Sequence, residues 1–128
     1  MRIGSFFASG KDGLKSDISV VVLAGAAGGD LANVNRWRGQ INLEPIGEAD
    51  LPKYSKRIAP AGRPMMMVNF VTPDLFIDNR YKKRLIAVSY PRGANTWFFK
   101  MTGEDALVHS LEPSFTRFLE NLRFHNQQ

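Results

Sequence analysis

Two spacings of apolar residues alternate along this chain, a short-run or every-second-residue pattern and a three-to-four pattern. "RIGSFF" (2–7) has the first and is closed by the turn-forming "ASGKDG", so it reads as a strand. "DISVVVLAG" (17–25) follows, and its four consecutive apolar residues, Val20 to Leu23, suit a strand covered on both faces. The two make a hairpin with a loop of about nine residues. "GAAGGD" breaks the pattern, and Asp30 is placed to cap a helix over 31–38 with Gly39 as its stop. On that helix Leu31, Val34, Trp37 and Arg38 fall on one face, while Asn33, Arg36 and Gln40 point elsewhere. A second, short helix is expected around 47–56, led by acidic residues, with Pro52 in its first turn.

Three strands come next: "PMMMVNFV" (64–71), "RLIAVSY" (84–90) and "TWFFKMT" (96–102). The last two are joined by the turn "PRGAN" and should pair antiparallel. In "TWFFKMT" alternation puts Trp97, Phe99 and Met101 on one face and Phe98 and Lys100 on the other. After Gly103 the chain turns helical, with carboxylates in the first turn and Pro113 marking a kink or fresh start. Phe115, Phe118, Leu119 and Leu122 then trace an amphipathic stripe. The order is ββααβββα, which predicts an α+β fold: a mostly antiparallel sheet flanked by helices, in one domain over 1–124 with a frayed tail at 125–128.

Composition narrows the classes. With 128 residues, 44% hydrophobic and 23% charged, the chain can bury a core without staples. It has no cysteine, which excludes disulfides, thiolate metal sites and cysteine nucleophiles. No apolar run approaches the ~20 residues of a transmembrane segment. The net charge of +5 invites a nucleic-acid partner, but the excess is spread. Residues 1–63 carry nine Lys/Arg against six Asp/Glu, and 64–128 carry eight against six. The local cluster "NRYKKR" (79–84) reads as a solvated loop or strand entrance.

Candidate chemistry is sparse. His109 and His125 have no third ligand at supporting spacing, so neither a metal nor a cofactor is expected. Ser110 neighbours His109 in sequence only, and Glu48/Asp50 and Glu104/Asp105 suit helix starts better than acid–base work. "GAAGGD" sits between strand and helix but matches no phosphate-loop pattern. The richest stretch is "NVNRWRGQ" (33–40). Its plainer reading is a helix docked through Leu31, Val34 and Trp37, with Trp97 and Phe99 as aromatic company. Its sharper reading makes Asn33, Asn35, Arg36, Arg38 and Gln40 a binding surface for an anionic or amide-rich partner. Asparagine is a mediocre helix former, so some of these side chains are expected to lock loops.

"LANVNRWRGQINLEPI" together with "TWFFKMTG" resembles a group of uncharacterised bacterial proteins that share L-x-N-x-N-R-W-R-x-Q and W-F-F-K-x-T-G segments. The resemblance spans about residues 2–124, and its marker positions here are Asn33, Asn35, Arg36, Trp37, Arg38, Gln40, Trp97, Phe98, Phe99, Lys100, Thr102 and Gly103. It implies an α/β/α sandwich like that of PsbP-like and Ran-binding Mog-like proteins, which bind partners and do not catalyse. Members often follow a signal or lipoprotein leader, which implies the envelope or its periplasmic side; the chain alone leaves a cytoplasmic site open. Such members also carry a further N-terminal strand, so either this chain is a shortened piece or its sheet edge is open to another strand, for example in a homodimer. The leading expectation is a non-enzymatic binding or assembly domain of the bacterial envelope, with another protein or envelope component as partner. The alternatives are a basic nucleic-acid-binding domain and, behind it, a small enzyme with an unrecognised polar site.

Overall fold

Alternation along one strand sets the centre of the molecule. In the computed structural model, which describes residues 2–9 (by their backbone), 14–75 and 80–124, the strand Asn95–Glu104 sends successive side chains into two separate cores. It is the last of six strands among the described residues: β1 (Arg2–Ser9), β2 (Lys15–Ala24), β3 (Lys56–Ile58), β4 (Met65–Val71), β5 (Lys83–Arg92) and β6 (Asn95–Glu104). They form one sheet in the order β1-β2-β6-β5-β4-β3, with every neighbouring pair antiparallel. Among the described residues four helices complete the fold: α1 (Asp30–Gln40), α2 (Leu51–Tyr54), α3 (Asp105–Ser110) and α4 (Glu112–Glu120).

Phe98 packs on one face of the sheet with Val34 and Trp37 of α1 and Ile41 just after it. Phe99 and Met101 pack on the other with Val108 of α3 and Phe115 and Leu119 of α4. Helices therefore cover both faces, as the apolar patterns of the strands and of α4 require. The fold is α+β with an antiparallel sheet, as expected, but its order is ββααββββαα. The segment expected to be a helix over 47–56 is a 3-10 turn (Glu48–Asp50) followed by the single turn of α2, after which β3 begins at Lys56. β3 gains its identity from pairing with β4, not from its own three residues. The C-terminal helix divides at Leu111, with Pro113 in the first turn of α4 where its missing N–H is not needed. The tail expected at 125–128 lies outside the described residues.

Other expectations are corrected. Asp30 is not a cap: Gly29 holds that position without a side-chain bond, and Asp30 instead accepts from Arg57 at 3.2 Å. Gly39 does not stop α1, which runs on to Gln40 and then seats Ile41 in the core at 1% exposure. Asn42, at φ 58, makes the turn. The aromatic partner of Trp37 is Phe98, edge-on at 5.8 Å; Trp97 and Phe99 lie on the opposite face. The β5–β6 turn is only Gly93–Ala94, because Pro91 is taken into β5 opposite Thr96. Pro91 is tolerated there because the β4 ladder has already ended at Ser89, leaving β5 an outer strand. Finally, the Val20–Leu23 run is not covered on both faces: Val20 is buried, but Val21, Val22 and Leu23 are only half-buried. Coverage on both faces belongs instead to the central strands, with β5 buried from Leu85 to Val88 and β6 at Phe98 and Phe99.

Candidate functional site

Side chains on a helix advance by about 100° per residue, so α1 has a core stripe and two flanks. Val34 and Trp37, at 0% and 2% exposure, form the stripe that docks on the sheet. Asn35 and Arg38 lie on one flank, and Asn33, Arg36 and Gln40 on the other. The structure gives the two flanks different jobs.

The Asn35 flank holds the chain that follows the helix. The Asn35 amide donates to the Ile46 carbonyl at 3.0 Å and accepts from the Ile46 N–H at 2.8 Å, in the manner of a backbone bridge. The Arg38 Nε donates to the Glu44 carbonyl at 2.6 Å, and its guanidinium lies 4.9 Å from the Tyr54 ring centroid and 5.0 Å from that of Phe70. Two of the five candidate binding residues are thus fasteners that fix residues 43–54 against α1.

The other flank overhangs a groove. α1 packs above β4, β5 and β6 and leaves the β2 side of that face less covered, so Val21 and Leu23 stay half-buried. A cavity of about 300 Å³ results, lined by Ser19, Val21, Leu23, Arg36, Trp37, Gln40, Phe98 and Lys100. Its floor is apolar and aromatic. Its rim is Arg36, Gln40 and Lys100, with the Lys100 Nζ donating to the Gln40 Oε1 at 2.9 Å. The Arg36 Nη1 donates to the Oδ1 of the buried Asn33 at 2.6 Å, which orients the guanidinium 5.5 Å from the ring centroids of both Trp37 and Phe98. Although Arg36 as a residue is exposed, these rings displace water from its charged end. That desolvation pushes the guanidinium pKa below its ordinary value. Arginine keeps its proton through such a shift, so the charge remains and is less well solvated. Among the described residues Arg36 has this one hydrogen bond, to a neutral amide, and no carboxylate partner.

Sequence reasoning placed Arg36, Gln40 and Asn33 among the site residues but not Lys100, although it marked Lys100 on the Phe98 face. Lys100 and Gln40 are 60 residues apart, and the docking of α1 on β6 through Trp37 and Phe98 brings them to one rim, with Ser19 beside them because the β2–β6 register sets it opposite Lys100.

The remaining candidates lie away from the groove. His109 stands 3.2 Å from Glu112 Oε2, beside a network in which Asn69 links Glu112 to Arg84 and Arg84 pairs with Asp105 at 2.6 Å. Ser110 donates to the Leu107 carbonyl at 2.7 Å, not to His109. The Glu104 carboxylate caps α3, accepting from Ala106 N–H at 2.7 Å and Leu107 N–H at 3.0 Å. In the glycine-rich turn before α1, Gly25 N–H donates to the Ala94 carbonyl at 2.8 Å, and Thr96 Oγ1 donates to the Gly25 carbonyl at 2.6 Å. Among the described residues no group of three or more His, Cys, Asp or Glu could hold a metal, and no helix is long and apolar enough to cross a membrane. His125 lies outside the described residues.

No protein family matches the sequence, and no curated protein matches it. A crystal structure of a Pseudomonas aeruginosa protein of unknown function, suggested to be a regulator, has a similar fold. The TM-score is 0.58 over 97% of this chain and 83% of that chain, at 12% identity. A likeness at that identity is one of fold alone.

Proposed function

We propose that this protein is a non-enzymatic binding domain of the bacterial cell envelope that recognises an anionic feature of a partner protein through the groove beside α1. One observation carries the reading: Arg36 is held over two aromatic rings, partly desolvated, with a neutral amide as its one bonded neighbour among the described residues. A charge partly stripped of water is less well stabilised than a fully hydrated one, and it gains once a partner supplies the anion. The lining of the groove sets a cation and an amide above an apolar floor, the elements of a recognition surface. The envelope assignment rests on the resemblance carried by "LANVNRWRGQ" and "TWFFKMTG". Helices on both faces of an antiparallel sheet agree with the PsbP-like and Mog-like sandwich that the resemblance implies. A regulator acts by binding, so the role suggested for the Pseudomonas protein agrees in kind.

A photo-reactive side chain at position 32, exposed one helical turn before Arg36 and outside the groove lining, tests this in envelope fractions of the source bacterium. A cross-linked partner should form with the otherwise native chain and with Arg38→Ala, and should be lost with Arg36→Ala. Equal capture by both alanine variants, each checked for native circular dichroism, would remove the groove from consideration.

A further inference from the structure

The rim and floor of the groove specify more than negative charge. The Arg36 guanidinium spends one Nη1 hydrogen on Asn33, which leaves the Nε and Nη2 edge of its planar fork without a protein acceptor among the described residues. That edge matches the two oxygens of a carboxylate, which it grips with two parallel bonds. Gln40 adds amide N–H donors beside it, its Oε1 being held by Lys100. Immediately below lie the rings of Trp37 and Phe98 and the side chains of Val21 and Leu23. A polyanion such as a phosphate chain would gain nothing from that floor, and a neutral apolar ligand would leave the guanidinium desolvated and unpaired. The cavity, at about 300 Å³, is at the small end of ligand sites.

We infer that the groove is a recognition site for a carboxylate borne on a compact apolar group, with Arg36 gripping the carboxylate and Trp37, Phe98, Val21 and Leu23 taking the apolar body. This chemistry has two sources: a small free acid, or the C-terminal residue of a polypeptide whose side chain is aromatic or branched. The inference rests on the binding function proposed above and names what the site takes.

Titration of ¹⁵N-labelled protein with two matched pairs tests it: 4-phenylbutyrate against 4-phenylbutyramide, and acetyl-Ala-Phe with a free or an amidated C-terminus. The acids should shift the Trp37 indole and Arg36 side-chain signals and bind at least about tenfold more tightly than their amides, as a charge-assisted pair requires. Arg36→Ala should lose that preference, Arg36→Lys should keep only part of it, and Arg38→Ala should keep it all. Preference for the peptide acid over phenylbutyrate identifies a chain terminus as the source, and the reverse identifies a free acid. Acids and amides that bind alike, no binding by either, or an acid preference that survives Arg36→Ala would each overturn the inference. The two readings fail separately. A cross-linked partner with no acid preference sinks only the carboxylate, and acid binding without a protein partner sinks only the proposed partnership.

Discussion

At the scale of single residues, four polar side chains on one helix that look alike in sequence have opposite consequences. Removing the Asn35 amide leaves the N–H and C=O of Ile46 without their partner. Asn35→Ala is therefore expected to destabilise the fold by about 1–3 kcal/mol in urea unfolding. Arg36→Ala removes a charge with no acidic partner among the described residues, and although it breaks the bond to buried Asn33 it opens that amide to water, so its effect on stability should stay within about 1 kcal/mol. A variant that loses binding while keeping stability marks a contact, and one with the reverse profile marks a fastener. If Arg36→Ala proves the more destabilising of the two, the roles assigned to the flanks are wrong. The same distinction explains why residue type misled the reading of the sequence. Arginine and asparagine serve both purposes, and which one applies depends on what the helix lies against.

At the scale of elements, the strand "TWFFKMTGE" shows how much the sequence carried and where it stopped. Its alternation assigned Trp97, Phe99 and Met101 to one core, and they lie there together. It did not disclose that Phe98 would floor a groove, because that depends on α1 leaving the β2 side of the sheet less covered. β3 escaped notice for a related reason: three residues have no period, and the strand exists only because Met65, Met66 and Met67 offer a ladder. The length of α1 was missed because Gly39 suggested a stop, whereas burial of Ile41 outweighs the poor helix propensity of one glycine. The last glycine of the strand has a physical reason of its own. A Cβ on Gly103 would sit 2.6 Å from the backbone oxygen of Lys15 and 3.0 Å from the Ser16 Cα, both on the neighbouring β2. Gly103→Ala should therefore push β2 and β6 apart where they first meet and destabilise the fold by about 1–3 kcal/mol. Hydrogen exchange at the β2 amides should quicken with it. Unchanged exchange would show that the ladder can absorb a methyl group there.

At the scale of the whole molecule, the central strands join two cores that would otherwise be independent. β5 sends Leu85 and Ala87 to the α1 side and Ile86 and Val88 to the side of α3 and α4, and β6 divides its residues in the same way. Neither layer of helices can leave without exposing side chains whose neighbours in sequence hold the other layer in place. The +5 charge bears little on this frame, since Arg57 and Arg84 pair with Asp30 and Asp105, and Arg38 and Arg63 bond to backbone carbonyls. Cooperativity is the property the topology does determine. The two tryptophans lie on opposite faces of the sheet, Trp37 in one core and Trp97 packed against the other. Single-tryptophan variants, Trp97→Phe to watch one core and Trp37→Phe to watch the other, should each lose structure in one step in urea. For each variant its fluorescence transition should coincide with its own far-ultraviolet circular dichroism, as two-state unfolding demands. A Trp37 transition that precedes the loss of secondary structure would instead mean that α1 and the loops fastened to it open as a unit of their own, and that the groove is a mobile site built on a rigid sheet.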